Sequence, residues 1–262
     1  MDLPFKEGEW VVFADHRGVQ FSQRLNRGGR LHTHWGYVDH DGVLGREPGI
    51  VVETSKGKKF CVFYPTLADY VIRMPRKSGI IYPKDWGIIM VWADVFPGAR
   101  VLLGGVGSGA LLLAILRQVG SGGKVVAYDV RQDMLDWAAQ NVRSFLGEWP
   151  HSLELRLGDI YETGVEHGFD RVILDVPEPW RALNTAYRAL GPGGILCSYL
   201  PSIVQVGSLV TALREAGTFG LIETVEVLLR GWYVEGRAVR PEHRMVGHTG
   251  FLTFARRLGR EE

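Results

Sequence analysis

The chain has little cysteine: Cys61 and Cys197 are the two such residues in 262, and both stand in apolar, strand-like surroundings without CxxC spacing. That argues against a disulfide framework or a cysteine-based metal site and leaves two reduced core thiols as the expectation. Long apolar runs are missing too. The best, ALLLAIL at 110–116, is far short of the ~20 residues of a membrane-crossing helix. The opening MDLPFKEGEW lacks the apolar stretch of a secretory signal, so a soluble, cytoplasmic protein is expected. Nor does one charge dominate. Lys and Arg number 30 against 29 Asp and Glu, a formal net charge of +1, and neither end carries a basic tail. Bulk charge therefore announces no nucleic-acid partner, and any such partner needs a local basic face. Internal repeats and low-complexity segments are absent.

What is there is an ordinary globular composition, 46% apolar, in a chain long enough for one large domain or a large and a small one. Up to about residue 65, short alternating segments (WVVFAD, GIVVET, KKFCVFY) are broken by the turns NRGG, DHDG and SKGKK. They predict a small antiparallel β unit. PTLADYVIRMPRKSG reads as a short helix running into a basic connection, which sets a boundary near residues 66–80 and divides a β-rich domain, 1–70, from a larger one, 71–262. In the larger part strands and helices alternate, which predicts an α/β fold with a parallel sheet covered by helices on both faces. Strands are expected at 100–104, 124–129, 152–156, 170–175, 194–199, 221–228 and 249–256, with helices near 108–118, 132–146, 179–190 and 202–216. Only a loop separates the last two strands, so they are expected to pair antiparallel at one edge.

The sheet opens with RVLLGGVGSGALLLAIL, where Gly105, Gly107 and Gly109 form GxGxG between strand and helix. Glycine permits the tight turn and close approach of a ligand to the backbone, and the helix start offers N–H groups to an anion. The next strand, KVVAYD, ends in Asp129, where an acid can accept both hydroxyls of an adenosine ribose. Asp159 in RLGDIYE follows the third strand, in range of an adenine amino group. Each acid alone reads as a solvated turn or cap; the three turns together fit an adenosine compound across the sheet's carboxyl edge. Nicotinamide dinucleotides favour GxGxxG, whereas GxGxG suits the amino-acid end of S-adenosylmethionine, and LGPGG at 190–194 resembles the loop of class I methyltransferases. A methyltransferase is thus favoured over a dehydrogenase.

After the fourth strand comes DVPEPW, residues 175–180. In this topology Asp175 stands beside the glycine loop, and Pro177 and Pro179 keep the turn out of regular structure. Trp180 is placed to start the next helix and pack under the turn. A carboxylate so held can accept a hydrogen bond from an exocyclic amino group while the adjacent ring nitrogen faces the methyl donor. The alternative is that Asp175 caps the helix starting near Pro179.

Taken together, IYPKD (81–85), VGSG (106–109), LDVPEPW (174–180), SYLPSIVQV (198–206) and VGHTGFL (246–252) resemble the TrmI family of tRNA (adenine-N1)-methyltransferases over nearly the whole chain. The resemblance implies a homotetramer that binds tRNA and methylates N1 of adenine 58 in the T-loop, some members also acting on adenine 57. It implies that Asp175 accepts a hydrogen bond from adenine N6, and that Tyr82 and Tyr199 lie near the target base. Ser108, Gly109 and Ala110 would belong to the cofactor loop, Asp129 would be the ribose acid, and Met134 would pack near the cofactor's adenine. One departure stands out: Leu103 replaces the acid of the family's EAGTGSG, removing a polar contact at the amino-acid end or shifting it to Lys84 or Asp85.

For phosphates, three basic groups offer themselves: Arg24, Arg27 and Arg30; Arg73, Arg76 and Lys77; and Arg237, Arg240 and Arg244. The middle group, at the domain junction, is preferred. His32 and His34 have HxH spacing but no accompanying acid or cysteine cluster, so no metal is expected. His248 and Thr249 read as turn hydrogen-bonders, and Trp35, Trp86 and Trp92 as core or interface aromatics. Two other readings remain: a non-catalytic tRNA-binding subunit with a degenerate methyltransferase fold, and a small-molecule methyltransferase.

Overall fold

The computed structural model describes residues 4–162 and 164–259. They form two compact units that divide after Met74.

The first unit contains strands β1 (Trp10–Ala14), β2 (Gln20–Arg24), β3 (Arg30–Thr33), β4 (Gly36–Asp39), β5 (Val51–Glu53) and β6 (Lys59–Phe63), then helix α1 (Leu67–Arg73). Four strands make an antiparallel sheet in the order β2-β1-β6-β5, and β3 and β4 pair as a separate hairpin. Phe5, Phe13, Leu25, Phe60 and Val62 fill its core. Helix α1 starts with a reciprocal capping box, Thr66 with Asp69, and stops before Pro75, as a pre-proline residue disfavours helical backbone.

His40 is fully buried in this core. Its Nδ1 accepts the Asn26 N–H at 3.1 Å, which puts the ring proton on Nε2, a buried atom with no partner. Burial depresses its pKa. A histidine with a depressed folded-state pKa contributes stability that is present above the unfolded value of ~6.5 and lost as pH falls. Amide protection factors around His40 in the full chain, exchange rates corrected for the intrinsic fall with acid, are therefore expected to decrease below about pH 6.5. His40→Gln should flatten that dependence, and an unchanged slope would assign it elsewhere.

The second unit contains α2 (Pro83–Trp92), β7 (Arg100–Gly104), α3 (Ala110–Val119), β8 (Lys124–Asp129), α4 (Gln132–Leu146), β9 (Leu153–Leu157) and β10 (Phe169–Leu174). A 3-10 turn (Pro179–Ala182) leads into α5 (Leu183–Ala189), β11 (Leu190–Leu200), α6 (Ile203–Ala216), β12 (Phe219–Glu226), β13 (Trp232–Glu235), β14 (Ala238–Pro241) and β15 (Phe251–Arg257). The seven-stranded sheet runs β12-β15-β11-β10-β7-β8-β9. Strands β7 to β11 are parallel to one another, whereas β15 runs antiparallel to both β11 and β12. The last two strands of the sheet thus pair antiparallel, but β15 lies inside and β12 forms the edge.

Both faces of the sheet are covered, so central strands such as VLL in β7 are buried at every position. Residues 110–116 of α3 are all buried, the state expected of a helix apolar on every side. In α4 burial is confined to one face, Met134, Leu135, Ala138, Asn141 and Val142. Two elements depart from the sequence reading: α2 was not anticipated, and the long loop before β15 folds into the β13–β14 hairpin. Among the described residues no helix is long and apolar enough to cross a membrane.

Candidate active site

Chain order reverses beside β7: it is followed by β8 on one side and flanked by β10 on the other. Loops leaving β7 and β10 therefore diverge, and a crevice opens at the carboxyl edge of the sheet. The glycine loop forms one wall. Gly105, Gly107 and Gly109 have φ of +85°, +51° and +89°, the left-handed region that favours glycine. At Gly105 a Cβ would also overlap the Asp175 carbonyl. A loop without side chains at these points leaves bare backbone facing the crevice, which suits a ligand that must approach closely.

Asp129 braces this loop. Its Oδ2 accepts the Val106 and Gly107 N–H groups at 3.0 and 3.1 Å, and its Oδ1 accepts from the Arg131 N–H at 3.0 Å. The expected ribose acid is thus also a loop anchor; a carboxylate has about four lone-pair sites, so acceptor capacity remains. Ser108 is buried. Its Oγ accepts from the Lys77 and Ser78 amides and lies 3.0 Å from Ser78 Oγ. Asn141 of α4 joins the same two segments, donating to the Pro75 and Ser108 carbonyls at 2.9 Å each. Ala110 and Met134 are buried at the starts of α3 and α4. Asp159 accepts the Tyr161 N–H at 2.9 Å in a local turn.

Asp175 follows β10 directly, its amide donating to Gly104 O at 2.8 Å. It does not cap the following helix: Glu178 occupies the cap position of the 3-10 turn, with no side-chain capping bond. Asp175 is exposed at the mouth of the crevice, with protein crowded around the rest of the residue. Loss of hydration, with a smaller contribution from negative Asp129, pushes its pKa up to about 7. The turn behind it is pinned twice. Tyr161 Oη accepts the Glu178 N–H at 3.0 Å, and Gln205 Nε2 of α6 donates to the Pro177 carbonyl at 2.9 Å. Trp180 packs against the core beneath.

Near Asp175 stand Tyr199 of β11 and Tyr82, the half-exposed residue before Pro83. Burial and the charges of Asp85 and Asp175 push the Tyr199 phenol up to about 12, with Tyr82 adding a smaller effect. These side chains therefore share one neighbourhood. Tyr199 Oη donates to the Thr249 carbonyl at 2.6 Å. Beneath them lies a buried ion pair, Lys84 Nζ to Asp85 Oδ1 at 2.7 Å. Lys84 also donates to Thr249 Oγ1 and the Val227 carbonyl, and Thr249 Oγ1 donates to Asp85 Oδ2 at 2.8 Å. Leu103 is fully buried in β7, its register neighbours being Ala127 and Ile173.

The basic groups fare differently. Arg27 pairs with Glu7 and Arg30 with Asp39, so both are engaged by acids. Arg24 lies over Trp10. Arg73 turns back on its own helix, bonding the Asp69 carbonyl and pairing with its carboxylate. Arg76 and Lys77 are exposed on the segment tied to the glycine loop, with Lys77 Nζ 5.6 Å from the Trp137 ring. Arg237 and Arg244 are exposed, and Arg240 lies over Tyr233. His32 and His34 contact the rings of Tyr37 and Trp35. Trp35 borders the core of the first unit, Trp86 is half-buried and Trp92 exposed. Tyr161, Gln205 and Asn141 were not legible as site residues, because their partners lie 17 to 66 positions away in sequence.

Comparison with known proteins fits this geometry. The family described as tRNA methyltransferase complex GCD14 subunit matches residues 59–240, and the TrmI-like N-terminal family matches residues 4–52. The tRNA (adenine(58)-N(1))-methyltransferase TrmI of Thermus thermophilus is 39% identical over 249 residues, 94% of this chain and 96% of its own. Among solved structures, a protein named a SAM-dependent O-methyltransferase from Thermotoga maritima has a TM-score of 0.93 at 34% identity, covering 98% of this chain and 96% of that one. The tRNA (m1A58) methyltransferase TrmI of Aquifex aeolicus has a TM-score of 0.88 at 30% identity, covering 98% and 99%.

Proposed function

Because the chain belongs to the TrmI family of tRNA (adenine-N1)-methyltransferases, we propose that it is an enzyme transferring a methyl group from S-adenosylmethionine to N1 of adenine 58 in the T-loop of tRNA. The observation that carries this reading is Asp175: an uncapped carboxylate beside the glycine loop, at the point where chain order reverses. S-adenosylmethionine supplies, when bound, an electrophilic methyl on a sulfonium. The side-chain-free loop at Gly105, Gly107 and Gly109 fits its amino-acid end, and Asp129, Met134 and Asp159 are placed for its adenosine.

The target adenine is buried in folded tRNA and has to be flipped into the crevice, at a cost of a few kcal/mol. Tyr82 and Tyr199 offer ring faces to receive it. Asp175 accepts the N6 hydrogen bond, which turns N1 toward the methyl, and its negative charge stabilises the cationic ring that N1 methylation leaves. In-line transfer depends chiefly on such orientation. This explains the doubly pinned proline turn.

The exposed β13–β14 hairpin supports the homotetramer. Trp232, Val234 and Val239 on it, with Leu228 and Leu229 before it, are all more than half exposed, and an isolated two-stranded hairpin is marginal in water. A second copy of the chain is the natural cover. A tRNA substrate is in keeping with a cytoplasmic protein.

The direct test is incubation with S-adenosylmethionine and unmodified tRNA, followed by mass mapping. 1-Methyladenosine at position 58 is expected, and the same map reads position 57. An O-methylated product would overturn the assignment in favour of the chemistry in the Thermotoga protein's name. A second reading, a non-catalytic tRNA-binding subunit, is favoured by Leu103, which offers no polar group where the family has an acid; tRNA binding without cofactor binding would establish it.

For RNA, Arg76 and Lys77 are the best placed phosphate contacts. Their joint replacement by alanine is expected to weaken tRNA binding and to reduce the slope of log affinity against log salt by about 1 to 2. An unchanged slope would move the RNA track elsewhere.

A further inference from the structure

His248 stands just outside the site, and its ring is held at both nitrogens. Nδ1 lies 2.6 Å from Glu226 Oε1 at the end of β12, and Nε2 lies 2.8 Å from the Pro201 carbonyl just past β11. Both partners accept. A neutral imidazole has one N–H and would leave its other nitrogen lone pair facing an oxygen, whereas the imidazolium donates to both. The ring also packs on Phe251 at 4.9 Å, so it ties together the ends of three neighbouring strands.

The two residues that follow both act on Tyr199. The Thr249 carbonyl accepts its phenol, and the Thr249 hydroxyl is locked into the buried Lys84–Asp85 pair. Gly250 lies so close that a Cβ there would overlap the Tyr199 ring. Fixing His248 therefore fixes the peptide on which the phenol rests.

We propose that His248 is a positioning residue whose imidazolium clasps the 248–250 segment and so sets the Tyr199 ring against the Asp175 crevice. This rests on the role given to Tyr199 above. The charged groups facing the imidazole are Glu226 from β12 and Lys84 from α2; Glu226 raises its pKa and Lys84 opposes, with the net direction upward. Imidazolium is thus retained above the ordinary histidine range, and the clasp opens as pH rises through the raised value.

The test combines turnover against pH with a resonance of Tyr199, read from ring-labelled tyrosine and assigned with Tyr199→Phe. The wild type is expected to lose kcat along an alkaline limb, over the range in which the His248 ring protons titrate. His248→Ala should lower kcat about 10- to 100-fold, abolish that limb, shift the Tyr199 resonance and leave S-adenosylmethionine binding intact. Glu226→Gln should move the limb to lower pH. An alkaline limb that persists in His248→Ala, or a Tyr199 resonance identical to wild type, overturns the clasp. Should His248→Ala not fold, as its cofactor binding would reveal, the Glu226→Gln shift decides. If no tRNA is methylated, the proposed function fails by itself, and the Tyr199 resonance, followed against the His248 titration, still tests the clasp.

Discussion

Asp175→Ala is expected to cut turnover about 10²- to 10⁴-fold while tRNA and cofactor still bind. In the proposed role the carboxylate orients the acceptor base and balances its developing charge, but neither the glycine loop nor the exposed basic segment depends on its side chain. Wild-type kcat should rise with pH as Asp175 ionises around its raised value of about 7, and Asp175→Asn should remove that limb. Stability should move the other way. A carboxyl whose folded-state pKa is raised contributes stability below its unfolded value of ~3.9 and loses it as pH climbs through the folded one. At neutral pH the ionised group is a net burden, softened by water in the crevice. Asp175→Asn is therefore expected to melt higher than wild type above pH 7, a trade of stability for activity common in active sites. Thermal unfolding beside single-turnover rates measures both; undiminished turnover would dismiss the assigned role.

Gly105→Ala should fail in a different way. Alanine at φ +85° is strained, and its Cβ would press into the Asp175 carbonyl, a backbone atom that cannot rotate aside. Conformational strain alone costs on the order of 1–3 kcal/mol, and overlap with fixed atoms adds to it. Loss of cofactor binding in calorimetry and a lowered melting temperature are expected together. Gly122→Ala, whose Cβ would meet nothing within 4 Å, serves as the control. Cofactor affinity unaffected by Gly105→Ala would mean that the loop is not the binding wall.

All seven strands of the larger sheet were legible, the central ones because they are buried apolar runs, and most of their ends fall close to those expected; β11 instead begins at Leu190, taking in the LGPGG that reads in the sequence as a loop before the strand. Helix α2 escaped because Pro83–Trp92 has no clear apolar face: Asp85 is buried in it while Val91 and Trp92 are exposed. Only Pro83 at its first position marked it. The β13–β14 hairpin escaped for a related reason, since a ribbon exposed on both sides shows no alternation between apolar and polar. In the site, the acids at strand ends could be found from spacing. The bracing of the loop amides by Asp129 could not, because it depends on the fold of the loop in space. The same holds for the pins behind Asp175, where tertiary contacts supply what local pattern does not.

The position of β15 has a consequence for how the protein is made. Synthesis delivers β7 to β12 first, but the seat between β11 and β12 stays empty until the last strand emerges. Lys84 and Thr249, which meet in the buried network, are 165 residues apart in sequence. A growing chain can gather its glycine loop early, since domains fold from the N-terminal side as they are made. The wall bearing Tyr199 waits until Thr249 and β15 have cleared the ribosome. The enzyme is thus silent during its own translation, and a message cut short yields a protein unable to finish its active site.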